Sequence, residues 1–365
     1  MKFITQVLRF IVAITFIYSG FVKLVDPIGS AYKFEEYFGA DVLNLEFLIP
    51  YALPFSILLI LAEIMLGVML LVGFKPKFTG RSLLALISVF LFLTWYSAYY
   101  DKVADCGCFG DAVKLTSWET FYKNVVLVIM ILILVFQIKN IKTFFSENIA
   151  KWLSFTAFIV FLGITYYVLV HLPIIDFRTY AIGKNIPENM LIPEGAKQSV
   201  YKDVWIYKVN GVDKKFTTEE KPWAIDGATY VDRKTSLVEK GYEAPVHDFT
   251  MEKDGEDLTS QLMQKDRLML VVMYNIDKVD KQALANIKGI TTKAMQEGYD
   301  VYAFSASSQE DFQQIKKTFN LDFDLLFCDE TTLKTVIRAN PGIVIINKGT
   351  ITGKWNANDA SKVKL

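Results

Sequence analysis

Two cysteines that stand one residue apart are the residues of this chain best suited to chemistry. Cys106 and Cys108 lie in the sequence Asp105-Cys-Gly-Cys-Phe-Gly-Asp111. Two residues of chain span about 7 Å at most, and a disulfide needs Cα atoms roughly 4.4–6.8 Å apart. Only a bent backbone meets that limit, and Gly107 supplies the freedom to bend. So small a ring should be easily reduced, which favours a pair that cycles between dithiol and disulfide.

Other interpretations of this pair remain open. A zinc site needs four nitrogen or sulfur ligands, and the two histidines, His171 and His247, lie far away in sequence, so we expect no metal. Two inert thiols in a loop are an alternative. A purely structural bridge is another, although a ring closed over one residue constrains the unfolded chain very little.

Two charged residues interrupt apolar segments and are further candidates. Glu63 lies in the middle of an apolar run, where a lone carboxylate is costly. It could accept a proton or contact a quinone during thiol chemistry, or it could form a hydrogen bond that packs two helices. Lys23 stands near the end of the first run, and we expect it to extend to the membrane surface rather than to take part in catalysis.

Composition places these residues in a membrane protein. Of 365 residues 52% are hydrophobic, and 39 basic residues balance 39 acidic ones, which excludes a disordered chain and gives no indication of a nucleic-acid partner. Residues 1–172 hold only 13 basic and 11 acidic residues. They contain five apolar runs, each near the ~20 residues that cross a bilayer: Phe3–Val25, Pro50–Phe74, Thr79–Tyr99, Trp118–Ile138 and Ala150–Leu172.

Local signals refine these five runs. The fourth run follows a capping box, Thr116-Ser-Trp-Glu119. Gly20 and Gly67 should allow close approach of neighbouring helices.

Basic residues concentrate in the second and fourth loops, near Lys75 and Lys139. Because basic loops mark the cytoplasmic side, the N-terminus should be cytoplasmic. The cysteine loop and the C-terminal half should then face the periplasm from a bacterial inner (plasma) membrane.

The second half has the composition of a soluble protein. Asn210-Gly211 between two β-rich segments predicts a hairpin of Val204–Val209 and Val212–Thr217. From Ala244 onward strands and helices alternate, starting with the buried strand Leu268–Tyr274, which predicts an α/β layer structure. We therefore divide the chain into a four-helix bundle, a fifth transmembrane helix, a β-rich linker region and an α/β domain: residues 1–140, 141–173, 174–243 and 244–365.

The first 140 residues resemble the DoxX-like membrane proteins, in particular the branch that includes the methylamine-utilisation family MauE. The resemblance rests on Arg9…Tyr18-Ser-Gly20…Lys23…Asp26-Pro27, Ala62-Glu63…Leu66-Gly67 and Cys106-Gly-Cys-Phe-Gly110-Asp111. It implies a four-helix membrane bundle, similar in plan to the oxidases that pass electrons from disulfides to quinone, and a role in maturing disulfide-bonded periplasmic proteins. Those oxidases usually carry a second cysteine pair, and this chain has one pair in the bundle.

The C-terminal half resembles a thioredoxin-like domain of the peroxiredoxin/TlpA type. Ala244–Thr250 is similar to the segment that opens such domains, and Ala339–Gly349 to the strand that follows their cis-proline. The resemblance implies a cis-proline at Pro341, whose surface could bind an extended peptide. Where the C-x-x-C motif would stand, the chain reads Asn275-Ile-Asp-Lys-Val279. Cys328 is the remaining thiol of this half, expected as a buried apolar residue or, alternatively, as a single exchanging thiol.

Two functions follow from these features. The protein is a membrane thiol–disulfide redox protein that uses Cys106 and Cys108, with a periplasmic thiol or disulfide protein as partner and quinone as a possible electron acceptor. Alternatively it is a non-catalytic, membrane-anchored assembly or binding protein. The cysteine pair discriminates between them, because only the first function requires it.

Overall fold

The computed structural model describes residues 2–103, 107–113, 115–239 and 241–365. The chain forms two compact units. The first comprises Met1–Lys184 together with Thr250–Leu365, and the second comprises Asn185–Phe249. The apolar helices and the C-terminal sheet therefore belong to one unit, which the second unit interrupts in sequence.

In the part of the chain that the structure describes, five helices are long and apolar enough to cross a membrane. They are α1 (Lys2–Val25), α3 (Ala52–Val72, preceded by a 3-10 turn at Glu46–Tyr51), α4 (Pro76–Tyr100), α5 (Ser117–Phe136) and α6 (Glu147–Val170), with the short helix α2 (Pro27–Phe38) after α1. The five predicted spans are confirmed. We call the end of this bundle that bears residues 101–116 the Cys end.

Small residues and caps set the packing of the bundle as expected. A Cβ atom added at Gly20 would lie 2.8 Å from the Ile64 Cβ, and one at Gly67 would lie 2.8 Å from the Ile17 Cγ1. Helices α1 and α3 can therefore approach closely only because both positions lack a side chain. The capping box at the start of α5 is also present, with Thr116 and Glu119 in their predicted roles.

Helix α2 is not among the predicted elements, because its charged sequence is typical of a loop. Asp26 is its N-cap, and its side chain accepts a hydrogen bond of 2.9 Å from the Gly29 backbone amide. Pro27 occupies the first helical turn, where its fixed φ and missing N–H cost nothing. An acidic cap followed by proline was the signal available in the sequence.

The second unit contains α7 (Ile186–Met190) and three antiparallel strands in the order β2-β1-β3 within its described residues. These are β1 (Val200–Val209), β2 (Val212–Thr217) and β3 (Thr229–Glu239). The predicted Asn210-Gly211 hairpin is confirmed, since both residues have positive φ angles, 53° and 80°. Strand β3 was missed, because its charged residues give little alternation of apolar and polar positions.

The C-terminal part of the first unit is a mixed sheet domain. Its elements are β4 (Glu252–Lys253), β5 (Glu256–Asp257), α8 (Thr259–Leu262), β6 (Leu268–Val272), α9 (Lys281–Gln296), β7 (Asp300–Ser305), α10 (Gln309–Phe319), β8 (Asp324–Phe327), α11 (Glu330–Val336), β9 (Gly342–Asn347) and β10 (Thr350–Asn356). The described strands follow the order β10-β9-β6-β7-β8-β4-β5. Strands β6, β7 and β8 run parallel, whereas β9 is antiparallel to β6 and to β10.

The centre of this sheet is the predicted strand β6. Every residue of Leu268–Val272 is fully buried, as expected for a strand covered on both faces. Val271 packs in one apolar cluster with Leu284 and Ile287 of α9 and Phe312 of α10. The predicted alternation of strands and helices is confirmed, and the strand predicted at Leu268–Tyr274 ends two residues earlier, at Val272. The Asn340–Pro341 peptide bond is cis, as the resemblance implied.

A surface carboxylate of this domain gives a pH-dependent prediction. Hydrogen bonds from Lys316 (2.8 Å) and Lys253 (2.9 Å) lower the pKa of Asp324 to about 2. A lowered carboxyl pKa stabilises the fold above pH about 4, and this contribution is lost as the pH falls towards about 2. Because Asp324 is half exposed, we expect Asp324→Asn to cost at most about 1 kcal/mol at pH 6. The free energies of unfolding of variant and parent, from denaturant titrations, should converge on acidification; a constant difference would contradict this origin.

Candidate functional site

The described part of the cysteine loop turns sharply at two glycines. Gly107 and Gly110 have φ angles of +63° and +49°, and the Gly110 amide donates a 3.0 Å hydrogen bond to the Gly107 carbonyl. Gly107 thus has the bent backbone that the sequence predicted. Cys106 lies outside the described residues, so its pairing with Cys108 stays a prediction. Both cysteines that the structure describes, Cys108 and Cys328, are free thiols.

Helix α1 holds the backbone of Cys108 with two polar side chains. The Ser19 hydroxyl donates a 2.6 Å hydrogen bond to the Cys108 carbonyl, and the Lys23 ammonium donates one of 3.0 Å to the same oxygen. Lys23 also donates to the Ser19 oxygen at 2.9 Å. Because Ser19 and Lys23 are four residues apart, they share one face of α1. The cysteine loop is therefore fixed to this face.

The expectation that Lys23 extends to the membrane surface is wrong. Its side chain is 7% exposed, and its ammonium lies 2.7 Å from the Glu63 carboxylate, itself 3% exposed. Glu63 on the neighbouring α3 offers a counter-charge inside the bundle, and the Cys108 carbonyl and Ser19 accept the other protons. Extension of Lys23 to the membrane surface would break all three of these contacts and leave Glu63 buried without its counter-ion. Glu63 is paired, one of the states that the sequence allowed.

Two small cavities flank this ion pair. One of about 70 Å³ is lined mainly by apolar side chains of α2, α3 and α4, and also by Lys23, Gly107 and Cys108. One of about 10 Å³ contacts Glu63, Cys108 and Asn124. Ligand pockets commonly measure roughly 300–1,000 Å³. Neither cavity fits a quinone ring as it stands, so the predicted quinone contact of Glu63 gains no support from the geometry.

A larger cavity of about 620 Å³ lies between the Cys end and the sheet domain. We call it the interdomain cavity. Gly107 and Gly110 of the cysteine loop form part of its wall, as do α2 and α11. Lys23 and Gly107 line both this cavity and the 70 Å³ cavity. Lys23 of the buried ion pair and the cysteine loop therefore both border a space that a ligand could occupy.

The sheet domain is held to α2 by an ion pair that sequence reasoning missed. The Arg338 Nε lies 2.9 and 3.1 Å from the two Asp26 carboxylate oxygens, and the Asp111 carboxylate is 3.9 Å from Arg338 Nη2. Burial would lower the pKa of Arg338, but Asp26 outweighs burial and raises it. A Cβ atom at Gly29 would lie 2.8 Å from Arg338 Nη2, so glycine keeps this contact open.

Aromatic residues extend the same contact. The Tyr32 hydroxyl of α2 donates to the Tyr274 hydroxyl at 3.4 Å, and the Lys334 ammonium lies 4.7 Å from the centre of the Tyr32 ring. Burial and the neighbouring Tyr274 raise the pKa of Tyr32, which keeps this phenol protonated. The chain just after β6 thus contacts α2.

The segment after α6 provides further attachments to the sheet domain. Asp176 pairs with Arg178 at 2.7 Å and with the Lys354 ammonium of β10 at 2.7 Å. Burial lowers the pKa of Lys354 to about 8, and Arg178 contributes to the shift while Asp176 opposes it. His171, expected merely to lie at the membrane surface, has its Nδ1 2.7 Å from an Asp359 carboxylate oxygen. The last apolar helix is therefore tied to the sheet domain at its end.

The remaining candidates lie away from the cysteine loop. Cys328 is fully buried, and burial raises the pKa of its thiol to about 11, so the buried-residue expectation is confirmed. Pro341 is buried, and β9 pairs with strands on both sides; peptide binding at the cis-proline surface stays a prediction. His247, expected at a strand edge, lies in irregular chain with its side chain exposed.

The N-terminal part of the chain is similar to a known family. Residues 1–137 match the family model described as methylamine utilisation protein MauE. This region is MauE-like. The match includes α1 to α5, and with them Ser19, Lys23, Glu63 and the cysteine loop. Residues 201–240, which hold the three-stranded sheet, match a domain of unknown function (DUF8463). The search of curated proteins gave no match.

Sequence reasoning missed two parts of this site for different reasons. Ser19 could have been found, because it precedes Lys23 by one helical turn. Arg338 could not, since 312 residues separate it from Asp26 and no local pattern relates the two. The MauE-like region alone contains the polar cluster around Cys108, whereas the interdomain cavity requires both parts of the chain.

Proposed function

We propose that this MauE-like membrane protein is a thiol–disulfide redox protein that uses Cys106 and Cys108. The observation that carries the proposal is the convergence of two buried polar side chains on the Cys108 carbonyl, with Glu63 2.7 Å from Lys23. Ionisable residues buried in a membrane bundle are costly and commonly mark functional sites. The location of this pair directly beside the cysteine loop supports the functional explanation.

The chemistry is an exchange that balances without another reactant. One thiolate of the reduced pair attacks a partner disulfide, which forms a mixed disulfide and releases a partner thiolate. The second cysteine then displaces the partner, so the pair becomes a disulfide and the partner a dithiol. The reverse sequence oxidises the partner. In this proposal Lys23 holds the cysteine loop through the Cys108 carbonyl, and Glu63, which lines a small cavity together with Cys108, accepts the proton that a thiol loses.

We propose a thioredoxin-like identity for residues 244–365. Strand β6 is joined through α9 to the parallel neighbour β7, and the antiparallel hairpin β9–β10 flanks the other side of β6. This order supports a thioredoxin-like core. Asn275–Lys278 stand in place of a dithiol, so in this proposal the domain presents a partner and does not react with it.

The loop charges support an orientation for this machinery. Lysines concentrate in the loops at the end of the bundle opposite the Cys end, near Lys75 and Lys142. We infer that this end is cytoplasmic. The Cys end and the sheet domain then face the periplasm of a bacterial inner membrane, where disulfides persist and where the partner would be a secreted thiol or disulfide protein.

Cysteine substitution with thiol trapping tests the proposed function. In intact cells, Cys106→Ser or Cys108→Ser should accumulate a mixed disulfide with a partner, because the variant that keeps the attacking thiol lacks the thiol that resolves the intermediate. Non-reducing electrophoresis after acid quenching would show the complex, and wild type should show little of it. Cys328→Ser is the matched control and should behave as wild type. If neither loop variant forms a mixed disulfide, the redox function is wrong.

The second candidate is a non-catalytic, membrane-anchored binding protein. One observation favours it: the sheet domain, docked on the bundle, has Cys328 as its single thiol, and that thiol is fully buried. In that function the cysteine loop is structural. The amount of partner protein bound would then be the same for the wild type and for a Cys106→Ser/Cys108→Ser double variant. The redox function excludes that outcome.

A further inference from the structure

We propose that the interdomain cavity receives an extended, cysteine-bearing polypeptide segment, and that it is the route by which a partner reaches the cysteine pair. The proposal rests on the redox function proposed above. At about 620 Å³ the cavity lies within the range of ligand sites. Its wall includes Gly107 and Gly110 of the cysteine loop. Cys108 itself lines the 70 Å³ cavity, which shares Lys23, Ser30, Lys33 and Gly107 with the interdomain cavity.

The wall at the cysteine loop is backbone rather than side chain. Neither glycine carries a Cβ atom, and one placed on Gly110 would lie 3.1 Å from the Val22 Cγ1. Glycine at such positions allows another backbone to approach closely. Thr331 of α11 and Ser30 of α2 also line the cavity and provide hydroxyl groups. A peptide backbone, with alternating donors and acceptors, matches this polar lining.

The charge of the lining favours a neutral polypeptide over a small anionic thiol. Five acidic and five basic residues line the cavity: Asp26, Glu35, Glu36, Asp111, Asp176, Lys23, Lys33, Arg178, Lys334 and Arg338. Several of these charges already pair with one another, as in Asp26–Arg338, Glu36–Lys33 and Asp176–Arg178. A tripeptide thiol such as glutathione carries net negative charge, and a lining without net charge gives it no electrostatic attraction.

A cavity-filling substitution on α11, away from the cysteine loop in sequence, tests the route. Thr331→Trp places a large side chain in the interdomain cavity from α11, without altering α1, α3 or the cysteine loop. Thr318→Trp is the matched control, since Thr318 is an exposed threonine on α10 that does not line this cavity. Full-length, pre-reduced protein in detergent would be mixed with a neutral disulfide-bonded peptide, with glutathione disulfide or with 2-hydroxyethyl disulfide. Thiol labelling at successive times would then measure the rate of single-turnover exchange with each disulfide.

We expect Thr331→Trp to slow exchange with the peptide by about tenfold or more and to leave exchange with 2-hydroxyethyl disulfide unchanged. Thr318→Trp should change neither rate. Equal rates of peptide exchange in Thr331→Trp and wild type would overturn the route. If Thr331→Trp slows only the exchange with glutathione disulfide, the cavity receives a small thiol and not a polypeptide. If the Cys106→Ser/Cys108→Ser variant exchanges as fast as wild type, the redox function fails, and the route fails with it.

Discussion

Replacement of Lys23 by methionine should destabilise the bundle by about 3–5 kcal/mol, because the buried Glu63 carboxylate would lose its counter-ion. In the structure the two charged groups are 2.7 Å apart and almost inaccessible to solvent. The Lys23→Met/Glu63→Gln double variant, which removes both charges, should recover most of this loss. Unfolding in detergent, followed by circular dichroism against denaturant concentration, gives the three free energies.

An exposed ion pair on a neighbouring helix is the control for this experiment. Lys33 lies 2.9 Å from Glu36 on α2, and both side chains are more than one third exposed. Lys33→Met should cost less than about 1 kcal/mol. If Lys23→Met is as stable as Lys33→Met, the Lys23–Glu63 pair is not buried in the folded protein.

Glu63→Gln separates packing from chemistry at the same position. Glutamine keeps the size of the side chain and a hydrogen-bonding oxygen but cannot take up a proton from a thiol. If Glu63 acts in exchange, the fraction of oxidised cysteine pair in cells should change while the protein remains inserted. An unchanged redox state would assign Glu63 to helix packing alone.

Loss of Arg338 should release the sheet domain from α2. Arg338→Met leaves Asp26 facing a buried surface without its counter-ion, and removal of one member of a buried pair commonly costs about 3–5 kcal/mol. We expect faster amide hydrogen exchange in α2 and α11, measured by mass spectrometry, with unchanged exchange in β6. The Asp26→Asn/Arg338→Met double variant should restore part of the protection.

The matched control for the release experiment is the exposed pair Lys348–Asp266, at 3.1 Å with both side chains more than two thirds exposed. Lys348→Met should leave hydrogen exchange in α2 unaffected. If Arg338→Met also leaves α2 protected, the Asp26–Arg338 pair is not what holds the sheet domain to the bundle.

Features encoded within one element could be predicted from the sequence. The five spans follow from length and hydrophobicity, the α5 cap from four consecutive residues, and the β1–β2 hairpin from Asn210-Gly211. Strand β6 was recognisable because burial on both faces leaves an unbroken apolar run. Each of these signals is local, so no knowledge of the tertiary structure was needed.

Features that depend on two distant elements could not be predicted. The chemistry of Lys23 and of Glu63 was recognised separately, but their pairing depends on the relative rotation and depth of α1 and α3. Because the sequence does not show this pairing, it predicts Lys23 at the membrane surface. The contact between Asp26 and Arg338 has no sequence signature, since each charge looks like an ordinary solvated residue. The sequence does not predict helix α2, because its many charged residues are typical of a loop and obscure the helix-start signal of Asp26-Pro27.

The buried cations of the sheet domain impose an order on the maturation of the chain. Arg338 and Lys354 find their carboxylates at Asp26 and Asp176, both within the first 184 residues. A ribosome makes these acceptors long before it makes the sheet, and N-terminal parts generally fold first during synthesis. The carboxylates that neutralise Arg338 and Lys354 are therefore already synthesised when the sheet emerges, and the sheet reaches them only by docking against α2 and the segment after α6.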